Sequence, residues 1–336
     1  MVNLYKRKIP KLNVETSALG VGTWAIGGPS VGRDGRSSGW GNTSNEESVR
    51  ALNRAFELGV RVFDTADVYG CGLSEELVGR ALENYRDEVT IITKFGNAFD
   101  SKTKSQLGEN ASPKYIRGAV DASLKRLKTD YIDIYLLHIW GYPVDRAAET
   151  MDTLEDLTSE GVIRGYGWST DSTSRATAYS DRKHYVAVES ELNVFRDTSE
   201  IVSLCERKRL LNINKAPLAM GLLSGKYTPQ APQLPENDIR TATPEWLVYF
   251  KNGKAVPEFT KKLDRIKEIL TEDGRTLVQG SLGWIWARSP VTLPIPGFKT
   301  VKQVEENARA LEYGPLKQSQ MRAIDEILGT RNLICE

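Results

Sequence analysis

Short runs of apolar and β-branched residues alternate with longer amphipathic runs along most of the chain. Several of the short runs are apolar almost throughout, which is typical of parallel strands that are covered on both faces. The predicted strands lie at 18–21, 60–63, 89–93, 131–137, 162–168, 185–189, 211–215 and 291–295. This regular alternation of strands with helical segments predicts a parallel α/β fold.

The segments between these strands place apolar residues at helical spacing, and some begin with capping residues. Ser44 and Glu47 have capping-box spacing before the first helix, and Ser112 precedes a Pro113 that suits the first helical position. The predicted helices lie at 46–58, from 74 onward, and at 112–127, 146–159, 198–208, 257–270, 276–287 and 301–311. Residues 226–256 are rich in proline and polar residues and predict a long loop.

The positions of reactive residues favour a closed barrel over an open sheet. Asp64, Lys94 and His138 each follow a predicted strand, and Tyr69 lies in the loop after the first of these strands. In a (β/α)8 barrel the carboxyl ends of all the strands converge on one face, where active sites of that architecture lie. In an open sheet the same residues would be spread along an edge. We therefore predict a single (β/α)8 TIM barrel domain over residues 1–336.

Composition and charge argue against several classes of protein. Hydrophobic residues make up 40% of the chain, and the net charge of +1 does not indicate a nucleic acid partner. The most apolar stretch, at 131–140, is too short to cross a bilayer, and the N-terminus lacks the apolar run of a signal peptide. Cys71, Cys205 and Cys335 are too far apart for a disulfide framework or a metal site. We expect a cytoplasmic protein with no metal, no membrane partner and an oligomeric state that the sequence leaves open.

The four reactive residues have both structural and chemical interpretations. Asp64 could cap a turn, and Tyr69 and His138 could be packed side chains. Lys94 ends an apolar strand, where a lysine needs a partner or a function. A phenol has an ordinary pKa of about 10, which a neighbouring ammonium lowers. We hypothesise that Lys94 activates Tyr69 as a proton donor, that Asp64 holds Lys94, and that His138 positions the substrate oxygen.

Two glycine-containing segments follow the last two predicted strands and suit a phosphate-bearing cofactor. In segment 216–226 the glycines allow backbone amides to approach a pyrophosphate, and Lys226 adds positive charge. Segment 296–300 opens a helix, which is a frequent phosphate site in barrels. Ordinary turn chemistry would explain either segment alone. The glycines between 27 and 41 lack a strand–GxGxxG–helix context and predict a mobile loop rather than a Rossmann site.

A series of motifs in fixed order resembles the aldo-keto reductase family. The motifs are GVGTW at 20–24, FDTA at 63–66, YG at 69–70, SE at 74–75 with Gly79, TK at 93–94, DIYLLH at 133–138, GVIRGYGWS at 161–169, PLAMGLLSGK at 217–226 and IPG at 295–297 leading to Asn307. Their order and coverage, rather than any one block, make the resemblance specific. It is greatest to the bacterial branch that includes the inositol-operon reductases and the potassium-channel β-subunit-like proteins.

The resemblance implies an oxidoreductase that reduces an aldehyde or ketone with NADP(H). It implies a catalytic tetrad of Asp64, Tyr69, Lys94 and His138, in which Tyr69 gives the proton and the nicotinamide the hydride. The cofactor-binding residues that it implies are Gly22, Thr23, Trp24, Asp64, Ser169, Thr170, Glu189, Pro217, Leu218, Gly221, Leu223, Gly225, Lys226, Gly297, Lys299, Thr300, Gln303, Glu306 and Asn307. Lys299 and Thr300 would meet the 2′-phosphate, which favours NADPH over NADH.

Three positions near the implied nicotinamide site depart from the family pattern. Thr170 stands where asparagine is usual, Glu189 stands where glutamine is usual, and Lys215 stands where many members stack a tyrosine on the ring. A glutamate can accept a hydrogen bond from the carboxamide NH₂ but cannot donate one unless it is protonated.

Two alternative functions and the identity of the substrate remain open. Lys94 could form a Schiff base, as in aldolase barrels, or the barrel could be a non-catalytic NADPH sensor bound to a partner. Substrates are selected by loops, and we expect the glycine-rich segment before Ser44 and residues 226–256 to form the walls. The candidate aromatic linings are Trp24, Trp40, Trp140 and Trp168. An aromatic wall suits a sugar-derived carbonyl compound.

Overall fold

The centre of the fold is a sheet of eight parallel strands in the computed structural model, which describes residues 4–228 and 231–329. The strands are β1 (Gly20–Gly22), β2 (Val62–Asp64), β3 (Thr90–Phe95), β4 (Ile132–Leu137), β5 (Ile163–Ser169), β6 (Tyr185–Glu191), β7 (Leu211–Lys215) and β8 (Thr292–Pro294). Their order in the sheet follows their order in the chain. A parallel bridge between Gly22 and Gly297 joins the two edges, so the sheet closes into the predicted (β/α)8 barrel.

Gly22 is required at this closure because the strands approach each other closely there. Its backbone N–H donates to the carbonyl of Pro296 at 3.1 Å. A Cβ atom at position 22 would lie 2.8 Å from the carbonyl oxygen of Ile295, which is closer than a side chain tolerates.

Helices surround the barrel and pack their apolar faces against it. They are α1 (Asn45–Glu57), α2 (Leu73–Leu82), α3 (Pro113–Leu127), α4 (Ala147–Ser159), α5 (Thr173–Ala178), α6 (Ser199–Lys208), α7 (Ile239–Ala242), α8 (Pro257–Leu270), α9 (Leu277–Arg288), α10 (Val301–Tyr313) and α11 (Gln318–Leu328). The Ser44 hydroxyl caps α1 by accepting from the Glu47 N–H. The Glu47 carboxylate accepts from the Val301 N–H at 2.9 Å rather than from the Ser44 N–H, as a capping box requires. This contact joins the starts of α1 and α10.

The predicted strands and helices agree with the structure to within a few residues, whereas several other elements were not predicted. The interval 226–256 was predicted as a long loop, but it contains α7 and a small hairpin of Phe250–Lys251 and Lys254–Ala255. The missed elements also include the hairpins Lys6–Ile9 with Val14–Ser17 and Asn97–Asp100 with Ser105–Glu109, and the helices α5 and α11. These hairpin strands are short and rich in polar residues, so their periodicity is weak.

The hairpin of Lys6–Ile9 and Val14–Ser17 closes the amino end of the barrel. Ile9 is fully buried in the apolar cluster that also contains Val62 and Ile92 of β2 and β3. The Arg7 guanidinium donates to the backbone carbonyls of Trp286, Ser289 and Thr292 at 2.9–3.1 Å. The carboxyl ends of the strands therefore remain as the open end, where the predicted reactive residues lie.

Three further sequence predictions concern cysteines, membranes and metals. Cys71 and Cys205 are buried free thiols, and Cys335 lies outside the described residues. Within residues 4–228 and 231–329, the helices are all too short or too polar to cross a membrane. The same residues contain no group of three or more His, Cys, Asp or Glu side chains that could hold a metal ion.

We expect Ile9→Ala to lower the free energy of unfolding by about 2–4 kcal/mol, because it deletes a buried side chain from the closed interior. Urea denaturation followed by circular dichroism measures this change. Leu107→Ala is the matched control, since Leu107 is 66% exposed, and we expect it to change stability by less than about 0.5 kcal/mol. Equal effects of the two substitutions would contradict the assigned role of the hairpin.

Candidate functional site

A cavity of about 880 Å³ opens at the carboxyl ends of the barrel strands. Its volume lies within the range of small-molecule and cofactor sites. Asp64, Tyr69 and His138 line its base, and Trp24, Trp40 and other aromatic side chains form part of its wall. The cavity extends from there to the start of α10, so it is long enough to reach from the reactive residues to both predicted phosphate segments.

The structure brings the four predicted catalytic residues together at the base of this cavity. The Lys94 ammonium donates to both carboxylate oxygens of Asp64 at 2.7 Å and to the backbone carbonyl of Thr65 at 2.9 Å. It lies 5.1 Å from the centre of the Tyr69 ring. The rings of Tyr69 and His138 meet edge to face with their centres 5.9 Å apart. Proton transfer to a substrate held by Tyr69 and His138 is therefore geometrically feasible.

Barrel register accounts for this convergence. Asp64 ends β2 and pairs with Ile92 of β3, so Lys94 lies two residues further along the neighbouring strand. The His138 N–H donates to the Phe95 carbonyl at 2.8 Å and extends the pairing of β3 and β4 by one residue. Parallel pairing thus fixes three of the side chains, whereas Tyr69 comes from the loop after β2.

Glu189 adds a second carboxylate to the Lys94 ammonium, which the sequence did not predict. Its Oε2 atom lies 3.3 Å from Lys94 Nζ, and its Oε1 atom accepts from the Ser169 hydroxyl at 3.1 Å. Glu189 is 1% exposed. Two buried carboxyl groups therefore share one buried ammonium.

This arrangement shifts the pKa values of both members of the ion pair. Burial acts to lower the pKa of Lys94, but Asp64 and Glu189 outweigh it and raise that pKa above its ordinary value. Burial also raises the pKa of Asp64, the charge of Lys94 opposes the rise, and Glu189 adds to it. The ammonium is therefore held in its charged form by its two carboxyl neighbours.

Burial has the largest effect on the pKa values of Tyr69 and His138. It raises the pKa of Tyr69, Lys94 lowers it, and Asp64 and Glu189 raise it further. The net shift is upward, whereas we expected Lys94 to lower the pKa of the phenol below its ordinary value. Burial, Lys94 and Lys215 together hold the pKa of His138 well below its usual range. The imidazole is therefore neutral near pH 7 and retains one N–H donor.

The segment after β7 has a backbone suited to a pyrophosphate. Ala216, Ala219 and Met220 adopt φ angles of 46°, 47° and 56°, which non-glycine residues rarely do, and Gly221 has a φ of 94°. Such strain is typical of ligand-binding loops. Pro217, Leu218, Gly221 and Lys226 line the cavity.

The start of α10 provides the far end of the cavity. Gly297, Lys299, Gln303, Glu306 and Asn307 line it. Asn307 Nδ2 is buried and lacks a hydrogen-bond partner among the described residues, as does His138 Nδ1 at the opposite end. Buried polar atoms are normally paired, so both atoms fit contacts to a bound ligand. The set of residues as a whole fits an extended dinucleotide.

Five of the predicted cofactor residues do not line the cavity: Thr23, Thr170, Leu223, Gly225 and Thr300. The Thr23 hydroxyl donates to the backbone carbonyl of Asp64, and the Thr170 hydroxyl accepts from the Ser172 N–H. Gly22, Trp24, Ser169 and Glu189 do line it. Trp168, predicted as a lining, is fully buried and donates its indole N–H to the carbonyl of Ile139, whereas Trp24, Trp40 and Trp140 line the cavity.

Charged residues after β5 and β6 also reach the cavity, and the sequence did not single them out. Asp171 lies 3.6 Å from the Lys215 ammonium and 3.8 Å from Arg196, which in turn lies 3.0 Å from Glu191. Tyr249 donates to Glu191. The rule that strand ends carry reactive residues would have found Asp171 and Glu191. Asn97 and Gln106 are further linings that the sequence did not predict, whereas Arg33, Arg36 and Trp246 lie in the two segments that were expected to form the walls.

Comparison with known proteins agrees with this geometry. The model of the aldo/keto reductase family matches residues 18–329. The aldo-keto reductase YhdN of Bacillus subtilis is 30% identical over 329 residues, covering 96% of this chain and 88% of the relative. The NADP(+) aldo-keto reductase yakc of Schizosaccharomyces pombe is 32% identical over 306 residues, covering 88% of this chain and 86% of the relative.

A solved structure shows the same similarity. The glycerol dehydrogenase AKR11B4 from Gluconobacter oxydans superposes with a TM-score of 0.79 at 27% identity, covering 98% of this chain and 97% of that chain. Because the family model spans most of the sequence and the barrel is shared, the chain belongs to the aldo/keto reductase family and is an oxidoreductase.

Proposed function

We propose that this oxidoreductase reduces an aldehyde or ketone to the alcohol, with Tyr69 as the proton donor. The observation that carries the proposal is the cluster of Tyr69, Lys94, Asp64 and His138 at the base of the cavity. The cofactor is NADP(H), which the residues at the start of α10 fit and which the name of the yeast relative includes. Lys299 is the proposed partner of the 2′-phosphate.

In this mechanism the cofactor supplies the hydride, and the chain supplies the proton and the electrostatic environment. Tyr69 donates its proton to the substrate oxygen as negative charge develops there. Lys94 stabilises the phenolate that remains, and Asp64 keeps the Lys94 ammonium in position. The neutral His138 donates a hydrogen bond to the same oxygen and fixes the orientation of the carbonyl group.

The cavity wall supports a small polyhydroxylated or sugar-derived carbonyl compound as substrate. Trp24 stacks on Tyr69 with ring centres 5.9 Å apart, and Trp40 meets Trp24 edge to face at 5.5 Å. Aromatic faces pack against the C–H groups of such compounds. The amide N–H groups of Asn97 and Gln106 donate to His138 and Ser38, so their side-chain carbonyl oxygens are the groups that would accept from substrate hydroxyls. The similarity to a glycerol dehydrogenase supports the same substrate class.

The surroundings of Lys94 do not favour the Schiff-base alternative. A lysine must be deprotonated to attack a carbonyl carbon. Lys94 is 0% exposed, donates to Asp64 and Thr65, and has a raised pKa. No feature of the described residues favours a purely non-catalytic role.

Borohydride treatment in the presence of a carbonyl panel separates the two chemistries. We expect mass spectrometry to find no covalent substrate adduct, because Lys94 is held as a charged ammonium. An adduct on Lys94 in the wild-type protein, absent from Lys94→Met, would overturn the reductase proposal.

We expect Tyr69→Phe to lower kcat for NADPH-dependent carbonyl reduction by about 100- to 10,000-fold, because it removes the proton donor. NADPH oxidation followed by absorbance across a panel of aldehydes, ketones and open-chain sugars measures the effect. NADPH affinity should be retained. Tyr85→Phe is the control, since Tyr85 stacks on Phe56 outside the site, and it should match the wild type. Equal kcat in wild type and Tyr69→Phe would refute the assignment.

We expect Glu189→Gln to move the alkaline limb of the pH–rate profile for carbonyl reduction to lower pH. The Glu189 carboxylate raises the pKa of Tyr69, so its removal lowers that pKa. Tyr69 donates only while protonated, and activity is therefore lost at a lower pH. The kcat profile, together with an ultraviolet titration of tyrosinate, measures the shift. Glu258→Gln, at an exposed position of α8, should leave the limb in place, and a limb that moved upward in Glu189→Gln would contradict the argument.

A further inference from the structure

The end of β7 carries a cationic side chain that faces the same cavity as the proposed catalytic residues. Lys215 pairs in register with Glu191 of β6, and its side chain is 30% exposed. It lines the cavity together with Tyr69 and His138. Burial, Lys94 and Lys215 all lower the pKa of His138, so the charge of Lys215 acts at the base of the site.

The hydride donor must lie within the field of this ammonium. A reacting carbonyl held by Tyr69 and His138 requires the donor within about 3–3.5 Å of its carbon atom. The wall facing those residues is formed by the ends of β5, β6 and β7, which carry Ser169, Glu189 and Lys215. The strained phosphate segment begins at the next residue, Ala216. A cofactor whose phosphates bind that segment and whose nicotinamide lies at the base of the cavity therefore has Lys215 beside it.

We propose that Lys215 is a specificity-determining residue that makes the site bind the reduced cofactor in preference to the oxidised one. This inference rests on the proposed function. Carbonyl reduction moves a hydride from the nicotinamide to the carbonyl carbon and a proton from Tyr69 to the oxygen. The nicotinamide ring thereby gains one positive charge, while the substrate gains two hydrogens. The Lys215 ammonium repels the oxidised ring and has no equivalent repulsion for the neutral reduced ring.

Asp171 and Glu191, two carboxyl groups beside Lys215, moderate this effect. The Asp171 carboxylate lies 3.6 Å from Lys215 and 3.8 Å from Arg196, so it is shared between two cations. Its Oδ1 atom also accepts from the Glu191 N–H at 2.7 Å, which fixes its position beside the strand ends. A neutral residue in place of Asp171 would therefore expose the ring to a stronger positive field.

The experiment measures the dissociation constants of NADPH and NADP⁺ by quenching of tryptophan fluorescence, since Trp24 and Trp40 line the cavity. The variants are Lys215→Met, Lys215→Arg and Asp171→Asn. We expect Lys215→Met to lower the ratio of the NADP⁺ constant to the NADPH constant by about three- to tenfold, after allowance for solvent screening and for Asp171. Lys215→Arg keeps the charge and should keep the ratio. Asp171→Asn should raise the ratio, because asparagine keeps the acceptor for Glu191 and removes the negative charge.

The opposite signs of the two neutralising substitutions make the test decisive. A ratio that stays unchanged in both Lys215→Met and Asp171→Asn, even where both dissociation constants change, would overturn the inference. If Lys215→Met does not fold, Lys215→Arg and Asp171→Asn still test it through the sign of the change. Failure of the wild-type protein to bind NADPH would instead overturn the proposed function.

Discussion

The site depends on one buried ion pair, between Lys94 and Asp64. Removing two charges from water costs several kcal/mol for each ion, and only close and complete hydrogen bonding compensates for that cost. Lys94 achieves this by donating to Asp64 and to the carbonyl of Thr65. Loss of Lys94 would leave two buried carboxyl groups without their shared cation. The pair therefore fixes both the position of the ammonium and its protonation state.

The position of that ammonium determines what its neighbours can do. Tyr69 and His138 meet at the base of an open cavity, so a substrate oxygen that reaches them lies near the Lys94 ammonium. Glu189 adds a second buried carboxyl group beside Lys94. The balance between one ammonium and two carboxyl groups sets how readily the phenol loses its proton. Small changes in that balance act on the chemistry without changing the fold.

The barrel and the position of the site could be predicted from the sequence because reactive residues stand directly after the apolar strands. Asp64, Lys94 and His138 each follow an apolar strand, and closure of the sheet brings such ends together. The short hairpins could not be predicted, because strands such as Lys6–Ile9 alternate buried and exposed residues over only four positions.

The electrostatics of the site could be predicted only in part. The sequence pointed to the pairing of Lys94 with Asp64, but the contact between Lys94 and Glu189 depends on the relative positions of β3 and β6, which are not neighbours in the sheet. The upward shift in the pKa of Tyr69 depends on how deeply the ring is enclosed. Neither the relative position of β3 and β6 nor the enclosure of the Tyr69 ring can be deduced from the spacing of residues along the chain. Thr23 and Thr170 do not line the cavity, and their hydroxyls are engaged by the Asp64 carbonyl and the Ser172 N–H, which the motif pattern does not indicate.

The hairpin of Lys6–Ile9 and Val14–Ser17 stabilises the amino end of the barrel, whereas the proposed chemistry takes place at the opposite end. Arg7 holds the hairpin through backbone carbonyls, which are present whatever side chains occupy those positions. Sequence change around this base can therefore proceed without loosening it. The loops at the opposite end line the cavity and take no part in these contacts of Arg7. The same barrel can therefore accept different loops, and with them different substrates, on one anchored base.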